Sequence, residues 1–244
     1  MKIIFKILHY IKVKLIKKFY LNSKADYETK FNLIYKTNYW SDKESVSGSG
    51  SNKTQTQNAI KNINKILVDY NIKSIFDAPC GDFNWMNDLL KESTRLNKKN
   101  IQYLGADIVQ DLILNLKKEH STQNINFIKF DVISQNFPNQ ELFICRDCFI
   151  HFSNKDIKKT ISNFLDSKIK YILITDSIVD DDFENYEIKT GEYRKLDLTK
   201  EPFNFPKNHL FQFNDLYNIK KQKYDTKMTL WSREKLNNYF LKKL

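Results

Sequence analysis

Glycine and proline are scarce in this 244-residue chain, at five and four residues. That excludes collagen-like, linker-rich and multi-glycine-loop architectures. Three cysteines, Cys80, Cys145 and Cys148, are too few and too unevenly spread for a disulfide scaffold, and they suit a reducing cytoplasm. No apolar run reaches about 18 residues without a charge, so no ordinary transmembrane helix is expected. Arginine is the fourth absence: only Arg95, Arg146, Arg194 and Arg233 stand among forty basic residues. Bidentate reading of phosphates and bases favours arginine, so the net charge of +11 is weak support for a nucleic-acid partner.

What is present is a large apolar complement, 41% of the chain with 14% aromatic, enough to bury one domain core. The charge is concentrated. Residues 1–22 carry Lys2, Lys6, Lys12, Lys14, Lys17 and Lys18 with no acid, and Ile4, Leu8, Ile11, Leu15 and Phe19 recur at helical spacing. This basic amphipathic helix is expected either to lie on an anionic membrane surface or to pack on its own domain. Residues 23–53 are polar with isolated aromatics and read as a linker, or as a segment closing over a ligand. Residues 54–244 read as the main domain.

Within that domain, Ile60, Ile63, Ile66 and Leu67 mark a helix over Thr54–Tyr70. Short β-rich runs follow at Ser74–Ala78, Ile101–Leu104, Asn126–Phe130, Leu142–Cys145 and Tyr171–Thr175, with helix-period segments between most of them. Ser153 followed by Asp156 is a capping signature for the helix over Asn154–Leu165. Alternation of this kind predicts an α/β fold with a mostly parallel sheet and helices on both faces. A last strand is expected at Lys227–Trp231.

Ligands of open α/β sheets bind at the carboxyl ends of the strands. The first tip reads Asp77-Ala78-Pro79-Cys80-Gly81-Asp82-Phe83, with one glycine, so the G-x-G-x-x-G dinucleotide fingerprint and the Walker A loop are both absent. The second ends on Asp107, an acid able to accept ribose hydroxyls. The third ends on Phe130-Asp131-Val132, where a carboxylate can accept an amine edge. The fourth ends Cys145-Arg146-Asp147-Cys148, followed by His151. Each acid alone is more often a turn residue. Cys145-x-x-Cys148-x-x-His151 has zinc-like spacing but no second ligand pair, so no metal is expected.

Together these tips resemble class I S-adenosylmethionine-dependent methyltransferases. Asp77 to Phe83 is similar to that family's D-x-G-x-G-x-G motif, departing from it at Pro79 and Phe83. Asp107 matches its ribose-binding acid, Phe130 to Val132 its adenine segment, and Arg146 to His151 its R-[DE]-x-x-x-H stretch. The resemblance spans about Thr54 to Trp231 and is strongest to enzymes of bacterial surface-carbohydrate and small-metabolite pathways. It implies a Rossmann-like seven-stranded sheet with S-adenosylmethionine as cofactor. Donor contacts would come from Asp77, Ala78, Pro79, Cys80, Gly81, Trp85, Asp107, Ile108, Asp131, Val132 and Arg146.

His151 is the candidate general base, with a structural histidine as the alternative. Asp147, Tyr193 and Arg194 are expected to hold a small polar or anionic acceptor, such as a surface-polysaccharide sugar or its precursor, with Phe203 and Phe205 as a wall. Two other classes remain open: a nucleic-acid methyltransferase, and a non-catalytic protein keeping the fold. The expected place is the cytoplasm, peripheral on the inner membrane if residues 1–22 dock there.

Overall fold

The computed structural model describes residues 25–40, 42–97 and 100–241. The helix expected over residues 1–22 lies outside them. Helix α1 (Tyr27–Thr37) comes first, and α2 (Lys53–Asp69) follows a short 3₁₀ turn at Ser49–Ser51. Then β1 (Ser74–Asp77), α3 (Asn84–Asn97), β2 (Gln102–Asp107), α4 (Gln110–His120) and β3 (Ile125–Lys129) alternate. Next come β4 (Leu142–Cys145), α5 (Asn154–Asp166) and β5 (Tyr171–Ser177). The chain finishes with β6 (Phe211–Asn214), β7 (Tyr217–Asn218), β8 (Lys223–Tyr224), β9 (Thr226–Ser232) and α6 (Arg233–Leu241).

Seven strands form one sheet in the order β3-β2-β1-β4-β5-β9-β6. β1 to β5 are mutually parallel, and β9 runs antiparallel between β5 and β6. This is the expected Rossmann-like sheet. Strand order reverses between β1 and β4, and that switch point opens a crevice at the carboxyl ends.

Alternation along the strands divides the core between the two faces. Ile75, Ile144 and Leu173 pack with Ile63 and Ile66 of α2, Leu89 of α3 and Ile113 of α4. Phe76, Phe143, Ile172 and Ile174 point the other way, onto Ile157 and Phe164 of α5 and Leu236 of α6. The capping signature is realised: the Ser153 side chain accepts the Asp156 N–H at 3.1 Å.

Helix α1 was not evident from the polar character of residues 23–53. Its signals are local. The Asp26 carboxylate caps its start by accepting the Thr29 N–H at 2.7 Å, and Asn38 ends it in the left-handed region. Tyr27, Phe31, Ile34 and Tyr35 fall on one face. That face, and the segment after it, bear directly on the crevice.

Candidate active site

One pocket occupies the switch point. It is lined by the tips of β1, β2 and β4, by the chain following β3, and from above by α1 with Trp40, Val46, Ser47 and Ser51. Asp107 ends β2 and is 8% exposed. Its Oδ1 accepts the Val109 N–H at 3.0 Å and its Oδ2 the Gly81 N–H at 3.3 Å. Burial pushes its carboxyl up to about 6. Asp77, at the end of β1, accepts the Tyr103 hydroxyl at 2.8 Å, and burial pushes it up to about 7.

The loop between them takes an unusual path. Gly81 has φ +54°, and a Cβ there would collide with Ser47 Oγ, so glycine is required on two counts. Phe83 also takes a left-handed φ, of +59°. The backbone therefore keeps a glycine-like conformation where the sequence departs from the methyltransferase motif. Its ring recovers the steric cost through burial: it is 1% exposed, edge-on to Phe127 at 5.0 Å and 5.1 Å from Tyr103. Phe83→Ala is expected to lose about 3–5 kcal/mol of stability. Because the left-handed backbone costs a non-glycine residue about 1–2 kcal/mol, Phe83→Gly should unfold at a higher urea concentration than Phe83→Ala, the reverse of the usual order. A urea titration of both variants checks this.

Residues 42–52 are bonded to that loop rather than linking freely. The Val46 N–H donates to Asp82 Oδ2 at 2.9 Å, and the Asp82 N–H donates to Ser47 Oγ at 3.0 Å. Asn84 donates through Nδ2 to Glu44 at 2.8 Å and to the Ser51 carbonyl at 3.2 Å. These bonds hold the segment against the motif loop.

Asp131 lines the pocket, but its carboxylate accepts the Ile133 N–H at 2.9 Å and the Ser134 hydroxyl at 2.5 Å. It shapes its own turn, beside the apolar surface of Ile108, Val132 and Ile133. Ala78 is fully buried in the core without lining the pocket, whereas Pro79, Cys80 and Trp85 line it. Burial pushes the Cys80 thiol up, which leaves it inert.

Arg146 also lines the pocket, yet its guanidinium is committed elsewhere. It is bidentate to Asp215 (2.9 and 3.2 Å), donates to the Gly50 carbonyl at 2.9 Å, and stacks 5.3 Å from the Trp85 ring. Asp147, the next residue in the chain, is farther at 3.5 Å. Asp215 went unrecognised because nothing near it in sequence signals the pairing.

At the far end stands His151, on the 3₁₀ turn Phe149–His151. Its Nδ1 lies 2.8 Å from the Glu192 carbonyl. A carbonyl only accepts, so Nδ1 carries the proton and Nε2 holds the lone pair. Burial holds the ring below the ordinary histidine value, with the Asp147 charge acting in the opposite sense. Trp40 and Tyr193 flank the ring at 6.0 and 5.9 Å.

The expected anion grip is not formed. Arg194 is fully buried and donates to the carbonyls of Phe152 (2.9 Å) and Tyr186, bracing the loop behind His151. Tyr193 is 64% exposed and does not line the pocket. Phe203 and Phe205 lie in the core, Phe205 against Trp231 at 5.1 Å. The polar run around residue 194 resembles a recognition loop in sequence because burial of its charge cannot be seen there. The pocket wall comes instead from Trp40 and the aromatic face of α1.

No family model and no curated protein matches the chain. Solved structures do. PigF with SAH aligns at a TM-score of 0.60 and 10% identity, over 92% of this chain and 69% of that one. The methyltransferase domain of bacterial CtHen1-C aligns at 0.52 and 12%, over 73% and 98%. Magnesium protoporphyrin IX methyltransferase (ChlM) from Synechocystis PCC 6803, with bound SAH, aligns at 0.50 and 10%, over 93% and 94%. At such identities the likeness is one of fold: this chain has the architecture of class I methyltransferases.

Proposed function

We propose that this protein transfers a methyl group from S-adenosylmethionine to an oxygen or nitrogen of a small acceptor. The observation that carries the reading is a single pocket, at the switch point, with a buried strand-end carboxylate (Asp107) at one end and a neutral histidine at the other. The residues fit the donor. Asp107 has lone pairs beyond those given to Val109 and Gly81, enough for two ribose hydroxyls. Ile108, Val132, Phe31 and Tyr35 offer apolar surface for a flat base, and Asp77 an acid for the donor's amino group.

When bound, S-adenosylmethionine supplies a sulfonium methyl group open to in-line displacement, leaving as a neutral thioether. Position and orientation dominate such a reaction, and the roof over residues 42–52 restricts water around the reacting atoms. His151 Nε2 takes the proton that the acceptor heteroatom loses and returns it to solvent. The resemblance of the strand-tip motifs extends the reading to bacterial surface-carbohydrate or small-metabolite pathways.

Calorimetric titration with SAH tests the donor half of this reading, and absence of binding would end it. Ribose hydroxyls donate better to an ionised carboxylate, so SAH affinity is expected to rise as pH increases through about 6. The part of the rise centred near 6 should vanish in Asp107→Asn, leaving the part that Asp77 contributes near 7. An unchanged pH profile in that variant would place the titrating group elsewhere.

A further inference from the structure

Acceptor charge is legible in the pocket wall. Among the described residues, four aspartates line the pocket (Asp77, Asp107, Asp131 and Asp147) against one cation, Arg146. That cation is paired with a fifth acid, Asp215; three of its five N–H groups go to Asp215 and the Gly50 carbonyl, and its Nη1 lies 3.5 Å from Asp147. Among the described residues no lysine lines the cavity. At the acceptor end a phosphate or carboxylate would meet the Asp147 carboxylate, and the nearest cation among the described residues, Arg146, is already paired with Asp215 and Asp147.

The acceptor end contains a second, independent sign. Asp147 stands at the tip of β4 in the left-handed region (φ +53°), held by its N–H donating to Thr175 Oγ1 at 2.9 Å. Its Oδ2 is 3.5 Å from Arg146, while Oδ1 is buried with no hydrogen-bond donor among the described residues. A buried carboxylate oxygen of this kind calls for an O–H or N–H group. Trp40, also in the wall and 6.0 Å from the His151 ring, presents an aromatic face suited to an apolar ring face or to a cation.

We propose that the acceptor is neutral or cationic, never anionic, and that it donates an O–H or N–H to Asp147 while resting an apolar face on Trp40. This rests on the methyl-transfer reading and narrows it, replacing the anionic acceptor expected from Arg194. Sugar phosphates, nucleotide-linked sugars and uronic acids are excluded; amino sugars, neutral sugars, phenols and amines fit. In the transfer, the acceptor heteroatom forms the new bond to the methyl carbon with its own lone pair. Its proton goes to His151 Nε2, and the carbon–sulfur bonding pair stays on the departing thioether.

The test uses two probe pairs differing in charge on one scaffold: tyramine against 4-hydroxyphenylacetate, and glucosamine against glucuronate. Each is titrated into the full chain saturated with SAH and followed by ligand-observed NMR. The cationic member of each pair should bind about tenfold tighter or better. Asp147→Asn, which tolerates the left-handed backbone, should shrink that preference toward parity while SAH affinity stays unchanged. Equal or tighter binding of either anion, binding of neither pair, or an undiminished preference in Asp147→Asn overturns the proposal while SAH binding stands. If SAH itself fails to bind the wild-type chain, the methyl-transfer reading falls instead.

Discussion

His151→Ala should lower methyl transfer by about 10²–10⁴-fold, the range lost with a positioned general base, while SAH affinity stays near the wild-type value. The imidazole is prepared for the role. Its tautomer is set by the Glu192 carbonyl at 2.8 Å, and burial keeps it uncharged at neutral pH. A histidine below its ordinary value gains a proton only as pH falls through that lowered value, so the wild-type rate should drop on the acid side and be flat above. The variant should lack that acid limb. Loss of the Glu192 contact is a competing structural explanation, and His151→Asn separates the two. Its amide can donate where Nδ1 does, but it has no base at the Nε2 position. Both variants should be equally slow on any acceptor that the wild type methylates in a radiolabelled-methyl assay. Recovery in His151→Asn would make the residue a brace for the 192 loop.

Asp107→Ala should weaken SAH binding by about a hundredfold. Hydrogen bonds to a charged group are worth about 1.5–3 kcal/mol each, and each 1.4 kcal/mol is tenfold in affinity. The same residue should behave oppositely for stability. Its carboxyl is raised to about 6 in the folded protein. Between the unfolded value near 4 and that figure, the folded state holds a proton the unfolded state releases. Its stabilising contribution is therefore complete below about 4 and lost as pH rises through 6. Asp107→Asn should consequently melt no lower than wild type at pH 8 without ligand, yet bind SAH poorly. A variant that melts far lower would mean that the carboxylate mainly holds the Gly81 loop together.

The fold was legible because its strands are short and β-rich, its helices periodic, and its strand tips polar in the same chain order. Asp77, Gly81, Asp107 and His151 all reach one pocket, as their positions at strand ends dictate. Three things were hidden, each for a physical reason. The Arg146–Asp215 pair joins residues 69 apart, and no local pattern encodes such a pairing. Arg194 is polar in sequence but fully buried, with its charge spread over backbone carbonyls. Helix α1 carries a short apolar face inside a polar segment, and that face lines the pocket as well as packing on a core.

The Gly50–Arg146–Asp215 junction also imposes a schedule on biosynthesis. The roof and β4 leave the ribosome well before Asp215 does. Until then Arg146 would be a buried cation lacking its partner, a state unfavourable by about 3–5 kcal/mol. At about 5–20 residues per second, the intervening 69 positions take seconds to emerge. During that interval Arg146, which donates to the Gly50 carbonyl, has yet to meet its acid partner. The last charged partner of the junction therefore arrives late, when β6 pairs with β9 and brings Asp215, the residue that follows β6, into place. The edge of the sheet farthest from the motif loop thus acts as the clock for the junction.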